Sequence, residues 1–290
     1  MEIETPKEFS FDECLHFLRR SPKELLHRVE EDGVYKLIKQ TKEKVLFKVF
    51  AANEGLKVEF PISQPSDEDR DRIRDYIKEW FDLEKDLKPF YELASNDPFL
   101  APLVKRHYGY RIVGQPDLYE SLVWAVLGQQ INLQFAYTLK QQFVKEYGKK
   151  LLFEEKEYYL FPEPAVVAQL HLDDLLRIQF SKQKSRYTIG ISEAFVSGEI
   201  SKEKLKGLPI SKAREKLMKI KGIGNWTANY ALMKTYNYPD AFPLEDAGLA
   251  NAIKKLLKLT RKPTLDEIKE VFTKYKGWEA YATLYLWRSL

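Results

Sequence analysis

Cysteine is almost absent from this sequence of 290 residues, in which Cys14 is the only one. A single cysteine excludes an internal disulfide, a cysteine-ligated iron–sulfur cluster and a zinc knuckle. The sequence therefore suits a reducing compartment, and a cytoplasmic protein is the simplest expectation.

Long apolar runs are missing as well. No stretch approaches the roughly eighteen uninterrupted apolar residues of a membrane span, and the first ten residues lack the apolar core of a signal peptide. We therefore expect neither a membrane segment nor export. Hydrophobic residues make up 44% of the chain and charged residues 31%, which indicates a globular protein rather than a disordered one.

Neither sign of charge dominates, since the formal net charge is only +4. The basic residues nevertheless cluster in residues 201–224, where eight lysines and arginines stand against Glu203 and Glu215. Such a cluster is either a solvated helix face or a surface that attracts a polyanion. Its position beside a glycine-rich turn favours the second interpretation.

Residues 1–97 have the pattern of a separate α+β domain. Ser10 and Glu13 form a capping-box pattern before a short amphipathic helix. Three segments rich in β-branched and aromatic residues then predict an antiparallel meander, with breaks at 42–44 and 53–55: residues 34–41, 45–50 and 56–60. Helical spacing resumes after residue 69 and continues to Trp80.

Residues 98–290 carry only helical signals and predict an all-α domain. Leu118 begins an inward face that predicts one helix running to Tyr147, with Gly148 as its C-terminal glycine. Ser181 is positioned to cap another helix, which Gly198 ends. The expected fold is therefore an α+β domain followed by an all-α bundle.

The most informative segment is residues 217–232, LMKIKGIGNWTANYAL. Leu217 and Ile220 fit the end of one helix, Gly222 and Gly224 permit a tight turn, and a second helix follows. In such a hairpin the backbone N–H groups at the helix start can approach a phosphate oxygen, which the helix dipole also favours. A plain helical hairpin could share the Gly-x-Gly turn, but the whole pattern beside lysines favours a DNA-binding one.

This segment resembles the DNA-binding hairpin of the helix-hairpin-helix glycosylase superfamily, and specifically of its AlkA-like 3-methyladenine branch. The resemblance extends backwards through residues 119–132 (YESLVWAVLGQQIN) and forwards through 240–249 (DAFPLEDAGL) and 281–288 (YATLYLWR). It is strong from about residue 100 onward. The N-terminal part agrees only in outline with the TATA-binding-protein-like α+β domain of that branch.

The resemblance implies a DNA glycosylase that flips an alkylated purine, such as 3-methyladenine or 7-methylguanine, out of the duplex in base excision repair. The catalytic aspartate of the family corresponds to Asp246, although the residue pattern alone also fits an N-cap of the next helix. A purine alkylated at N3 or N7 is already cationic and leaves without a general acid. One carboxylate then suffices to stabilise the oxocarbenium-like sugar and to orient water.

Trp226 stands where the glycosylase/lyase members have a nucleophilic lysine, so the resemblance implies a monofunctional enzyme. Trp226, Tyr230 and Trp287 correspond to aromatic positions of the base pocket, where cation–π attraction favours a cationic base. Ordinary core packing is the alternative for all three.

A flipped base leaves a space in the stack that a side chain must fill. The resemblance places Gln130 in that role, where the AlkA-like pattern has leucine. Ile131 could fill the space instead, and Gln130 would then be a buried helix cap.

The resemblance also implies contacts to damaged double-stranded DNA by a monomer associated with the nucleoid. The expected contacts lie in the hairpin and beside it: Gly222, Gly224, Thr227, Lys219 and Lys221. No cofactor is required, but a sodium or potassium ion is expected on three backbone carbonyls, those of Met218, Ile220 and Ile223.

Two other functions share parts of this pattern. A glycosylase for neutral deaminated or oxidised bases would carry every motif quoted, and only the shape of its pocket would distinguish it. A non-catalytic DNA-binding protein could use the hairpin alone, but Asp246 and the aromatic set argue against it.

Overall fold

The computed structural model describes residues 1–30, 32–39 and 44–290. The first part of the described chain is a five-stranded antiparallel sheet with two helices packed against it. The elements of this part are β1 (Glu2–Ile3), α1 (Phe11–Leu18), β2 (His27–Val29), β3 (Gly33–Lys39), β4 (Lys44–Ala52), β5 (Gly55–Glu59) and α2 (Asp67–Trp80).

The sheet has the strand order β1-β5-β4-β3-β2. Strands β3, β4 and β5 lie in the three segments that the β-branched residues predict, so the meander is confirmed; Gln40, Thr41 and the break at 42–43 lie outside the described residues. The short edge strands β1 and β2 were not predicted. Phe47 and Val49 of β4 face α2, where Ile73 and Ile77 are fully buried.

The second part of the described chain is mainly helical. Its elements are α3 (Lys88–Ser95), α4 (Ala101–Arg106), α5 (Leu118–Gly128), α6 (Leu133–Tyr147), β6 (Lys150–Phe153), β7 (Lys156–Tyr159), α7 (Pro164–Val167), α8 (Leu172–Arg177), α9 (Lys182–Val196), α10 (Lys202–Leu205), α11 (Ile210–Met218), α12 (Asn225–Tyr236), α13 (Ala247–Leu256), α14 (Leu265–Phe272), a 3-10 turn (Thr273–Tyr275) and α15 (Glu279–Trp287). No helix of the described chain is long and apolar enough to cross a membrane.

The prediction of an all-α second part is wrong, because β6 and β7 form an antiparallel hairpin. Tyr158 of β7 is buried against Leu37 and Leu46, which form a cross-strand pair on the face of the sheet opposite to α2. The hairpin therefore covers apolar surface that the N-terminal sheet would otherwise expose to water.

The prediction of one helix from Leu118 to Tyr147 is also wrong. α5 ends at Gly128 and α6 begins at Leu133, where the side chain of Asn132 accepts the N–H of Phe135 at 2.8 Å. Lys184 Nζ donates to the carbonyls of Val126 and Gln129 and so satisfies the C-terminal end of α5. The break creates a loop at residues 129–132.

The predicted capping box at the start of α1 is half formed. Ser10 Oγ accepts the N–H of Glu13 at 3.3 Å, as expected. The carboxylate of Glu13 instead lies 3.0 Å from the ring of His107 and accepts from Arg288 Nε at 3.0 Å. Glu13 thus connects α1 to the helical part of the chain.

Two buried clusters divide the core. The cluster around the sheet runs from Ile3 to Leu83 and also includes Val113, whereas the cluster of the helical part begins at Leu87. The predicted domain boundary at residue 97 stays a prediction.

Candidate active site

A cleft of about 1370 Å³ opens where α1, the 129–132 loop, α12, the start of α13 and the end of α15 meet. Its lining includes Asp246 and the three aromatic residues expected at the base pocket, Trp226, Tyr230 and Trp287. The structure therefore brings these four residues together, although Trp226 and Trp287 lie 61 positions apart in the sequence.

Asp246 is both a helix cap and a lining residue of the cleft. Its Oδ1 accepts the N–H of Leu249 at 2.7 Å, which caps α13, and also Trp287 Nε1 at 2.8 Å. Its Oδ2 accepts Trp226 Nε1 at 3.2 Å. Three N–H donors stabilise the ionised carboxylate and hold it in one orientation. The two interpretations of Asp246 are thus compatible.

A glycine permits the indole of Trp287 to approach this carboxylate. A Cβ at Gly248 would lie 3.0 Å from Asp246 Oδ1 and 3.3 Å from the indole nitrogen. Any larger side chain at this position would push the carboxylate and the indole apart.

Two asparagines of α12 form hydrogen bonds to the loop before α13. Asn229 Oδ1 accepts the N–H of Phe242 at 3.3 Å, and Asn225 Nδ2 donates to Glu245 at 2.9 Å. The sequence analysis missed these two positioning contacts, because only the fold shows what the asparagine amides contact.

The aromatic residues form one continuous cluster. Trp226 and Tyr230 stack with ring centroids 5.3 Å apart and an interplanar angle of 25°. The hydroxyl of Tyr230 accepts Trp124 Nε1 at 3.0 Å, and burial raises the pKa of this tyrosine, so it stays neutral. Tyr230 is buried and packs as a wall, whereas the half-buried Trp226 and Trp287 present surface to the cleft.

The hairpin predicted from the glycines is confirmed. Gly222 has a φ of +97°, and a Cβ there would lie 2.3 Å from the ring of Tyr187. Gly224 is exposed, has open space around it and precedes the first turn of α12. Lys219 and Lys221 are exposed on the same turn.

Thr227 points inward rather than toward solvent. Its buried hydroxyl accepts Gln129 Nε2 at 3.0 Å, and the same amide donates to the carbonyl of Gly222 at 3.0 Å. A phosphate contact by Thr227 would therefore use its backbone N–H. Gln129, which the sequence analysis did not single out, ties the 129–132 loop to the hairpin.

Gln130 is exposed at the rim of the cleft, with a φ of +58°. The alternative of a buried helix cap at Gln130 is wrong, because Gln129 is the cap residue of α5. Ile131 is half-buried against the aromatic cluster, which restricts its movement.

The three residues expected to bind a cation lie at the end of α11 and in the turn. Met218 is the last residue of α11, and the carbonyl of Ile220 accepts the N–H of Ile223 at 3.1 Å. The buried side chains of Ile220 and Ile223 anchor this turn in the core. Because a backbone carbonyl is a neutral oxygen donor with two lone pairs, the chemistry of this donor set fits a monovalent cation.

A helix-hairpin-helix, a carboxylate that caps a helix and an aromatic cluster meet at one cleft, and this combination is typical of DNA repair proteins that act on single bases. The chain belongs to the HhH-GPD superfamily of base excision DNA repair proteins, whose sequence model matches residues 123–277. A second model, described as the N-terminal domain of 8-oxoguanine DNA glycosylase, matches residues 3–122.

Known proteins resemble the chain over nearly its whole length. A DNA-3-methyladenine glycosylase of Bacillus subtilis is 44% identical over 99% of this chain and 96% of its own. The 3-methyladenine DNA glycosylase of Archaeoglobus fulgidus superposes with a TM-score of 0.85 at 21% identity, covering 99% of this chain and 97% of its own. An 8-oxoguanine glycosylase/lyase of Clostridium acetobutylicum, solved with double-stranded DNA, gives 0.77 at 20% identity, covering 100% and 97%. At these sequence identities, the two structural similarities show that the chain shares the fold of these proteins.

Proposed function

We propose that this chain is a monofunctional DNA glycosylase that flips alkylated purines, of the 3-methyladenine and 7-methylguanine type, into the cleft and hydrolyses their N-glycosidic bonds. The observation that carries the proposal is the carboxylate of Asp246, held by two indole N–H groups inside an aromatic cleft. The B. subtilis relative, which is named a DNA-3-methyladenine glycosylase, matches 99% of the chain and supports the proposal.

The arrangement supports a dissociative hydrolysis. As the bond from C1′ to the purine nitrogen breaks, its electron pair goes to the base, and positive charge develops on the sugar. Asp246 stabilises that charge and orients a water, which adds hydroxide to C1′ while its proton passes to solvent. A cationic alkylpurine becomes neutral in this step, so no general acid is required.

The absence of lyase activity rests on Trp226, whose indole N–H donates to Asp246 where a lyase needs an amine. Lys234 lies on the same helix, but eight residues further along, which is about 12 Å at 1.5 Å per residue. Its amine is therefore far from a sugar that contacts Asp246.

DNA binding follows from the hairpin in this proposal. The first-turn N–H groups of α12, next to Gly222 and Gly224, would bind a phosphate, with Lys219 and Lys221 beside it. Gln130 would fill the space left by the flipped base, since it is exposed at the rim while Ile131 is held by packing. A sodium or potassium ion on the carbonyls of the α11–α12 turn would reinforce the phosphate contact.

The remaining expectations concern the whole molecule. The N-terminal sheet and its two helices would correspond to the TATA-binding-protein-like domain of AlkA-like enzymes. The protein would act as a monomer in the cytoplasm, associated with the nucleoid.

Release of neutral oxidised or deaminated purines is a second candidate activity. The match of residues 3–122 to an 8-oxoguanine glycosylase domain favours it. Mass spectrometry of the free bases released from methylated, deaminated and oxidised duplexes tests both candidates. We expect 3-methyladenine and 7-methylguanine among the products, and release of neither would contradict the proposal.

A further inference from the structure

The N-terminal domain supplies residues to the cleft that no sequence motif marks. Phe17 of α1 and Arg20, two residues after α1, line the same cleft as Asp246. The guanidinium of Arg20 lies 4.0 Å from the centroid of the Phe17 ring, and its Nε donates to the hydroxyl of Tyr137. Arg20 is an exposed residue that lines the cleft, so a bound base can reach it.

Lys234 shows which end of the cleft these residues occupy. Trp226, Tyr230 and Lys234 follow each other at intervals of four residues and therefore share one face of α12. Trp226 contacts Asp246, whereas Lys234 Nζ lies 4.6 Å from the ring of Phe17 and donates to the carbonyl of Val113. The carboxylate thus lies near one end of the cleft and Phe17 near the other.

The cleft therefore holds a negative charge, that of Asp246, near one end and positive charge near the other. Burial lowers the pKa of Lys234 well below its usual value. Arg19, Arg20 and Arg288 also line the cleft and stay charged. Of these, Arg288 is paired with Glu13, whereas Arg20 lies against Phe17 and Tyr137. Arg20 lies beside the buried aromatic cluster that contains Tyr137 and Tyr230, which gives its charge an apolar wall on one side. In such surroundings a fixed charge acts more strongly than in water.

We propose that Arg20 is a specificity-determining residue, which contacts the extruded base and stabilises the electron pair that the base receives when the bond to C1′ breaks. This inference rests on the proposed glycosylase function. Bond cleavage moves negative charge toward Arg20 and positive charge toward Asp246, so both groups stabilise the transition state more than the bound substrate.

The effect depends on the charge of the lesion. A neutral purine such as hypoxanthine leaves as an anion, which later takes a proton from solvent, and its attraction to Arg20 grows throughout the step. A cationic 7-methylguanine is repelled by Arg20 when bound and becomes neutral on leaving. Arg20 therefore weakens its binding by about as much as it accelerates its bond cleavage, and the rate from free DNA to the transition state changes little. Arg20 therefore extends the substrate range from cationic to neutral purines.

Single-turnover release of hypoxanthine and 7-methylguanine tests this inference in the wild type, Arg20→Gln, Arg20→Lys and Arg28→Gln. The enzyme concentration is kept well below the dissociation constant for the duplex, so that the rates report the step from free DNA to the transition state. Arg28 is an exposed arginine of β2 that does not line the cleft, which makes it the matched control. Because loss of one charge-stabilising group commonly costs about 100-fold or more, we expect Arg20→Gln to slow hypoxanthine release about 100-fold and 7-methylguanine release less than about tenfold.

Arg20→Lys should retain most of the hypoxanthine rate, because it keeps the charge, and Arg28→Gln should match the wild type. Thermal unfolding and duplex binding verify that each variant is folded. Equal losses on both substrates, or wild-type release of 7-methylguanine without any of hypoxanthine, would overturn the inference while leaving the proposed function intact. Release of neither base by the wild type would instead contradict the proposed function.

Discussion

Trp287 Nε1 lies 2.8 Å from Oδ1 of Asp246, and the same oxygen accepts the N–H of Leu249 at 2.7 Å. The end of α15 and the start of α13 therefore share one carboxylate oxygen. This arrangement orients Asp246 through packed helices rather than through a flexible loop, and it gives Trp287 a polar role besides its aromatic surface.

Replacing Trp287 by phenylalanine keeps an aromatic ring but removes the donor. A hydrogen bond to a charged group contributes about 1.5–3 kcal/mol, so we expect base release to slow roughly 10- to 100-fold if the bond strengthens in the transition state. Trp278→Phe, at the start of the same helix and packed on Phe90, is the control and should retain the wild-type rate. Single-turnover kinetics on methylated duplex provide the measurement, and equal rates for the two variants would remove Trp287 from the mechanism.

The two hairpin glycines should respond differently to alanine. Gly222→Ala forces a side chain onto the Tyr187 ring at a φ of +97°, so we expect a loss of roughly 2–4 kcal/mol in the free energy of unfolding. Gly224→Ala meets open space and should change stability by less than about 0.5 kcal/mol.

Duplex binding then separates folding from function. The methyl group of Gly224→Ala would stand where a phosphate approaches the start of α12, and we expect about tenfold weaker binding from this close-approach effect. Urea unfolding and fluorescence anisotropy with a labelled duplex measure the two effects. Wild-type affinity for Gly224→Ala would argue against a phosphate at this turn.

The hairpin and the central strands could be predicted because their signals are local. The glycines predict the hairpin turn and the β-branched runs predict the strands from only a few neighbouring residues, and the structure confirms both. The break between α5 and α6 was missed although Gly128 and Asn132 mark it locally, with Asn132 as the N-cap of α6. The contact that satisfies the end of α5 is distant in the sequence and could not be predicted, because it comes from Lys184 of α9.

The end of the cleft at Phe17, Arg20 and Lys234 was not predicted from the sequence, because its contacts are also distant in the sequence. Phe17 and Lys234 are in contact across 217 positions of sequence, and neither belongs to a motif. Asp246, by contrast, was identified through the resemblance of its neighbourhood to a family, and the fold adds the two indole donors that orient it.

Asp82 should make stability depend on pH. Burial raises its pKa to about 7 from an ordinary 3.8, while the hydroxyl of Tyr281 donates to it. The folded state therefore holds a proton that the unfolded state releases, and the free energy of unfolding should fall as pH rises from about 4 to about 7.

Asp82→Asn mimics the protonated form and tolerates the positive φ of this residue. Relative to the wild type, we expect similar stability near pH 4 and a gain of a few kcal/mol at pH 8, because one pKa unit corresponds to about 1.4 kcal/mol. Urea unfolding at both pH values measures the difference. An equal difference at both would show that Asp82 does not titrate in this range.

The monofunctional assignment predicts an intact DNA strand after base release. Borohydride should trap no covalent adduct between the protein and lesion DNA, whereas hot alkali should then cut the strand at the abasic site. If an adduct forms with the wild type, the assignment is wrong, and its loss in Lys234→Gln would identify the buried amine of α12 as the nucleophile.

The role of Asp246 is tested most directly by Asp246→Asn, because asparagine also caps helices and should leave α13 in place. Single-turnover release of 7-methylguanine is compared with duplex affinity and thermal stability. We expect affinity within a few-fold of the wild type and release slowed by about 100-fold or more, the scale of a lost charge-stabilising group. Release at a rate within a few-fold of the wild type would contradict the assignment of Asp246 as the catalytic carboxylate.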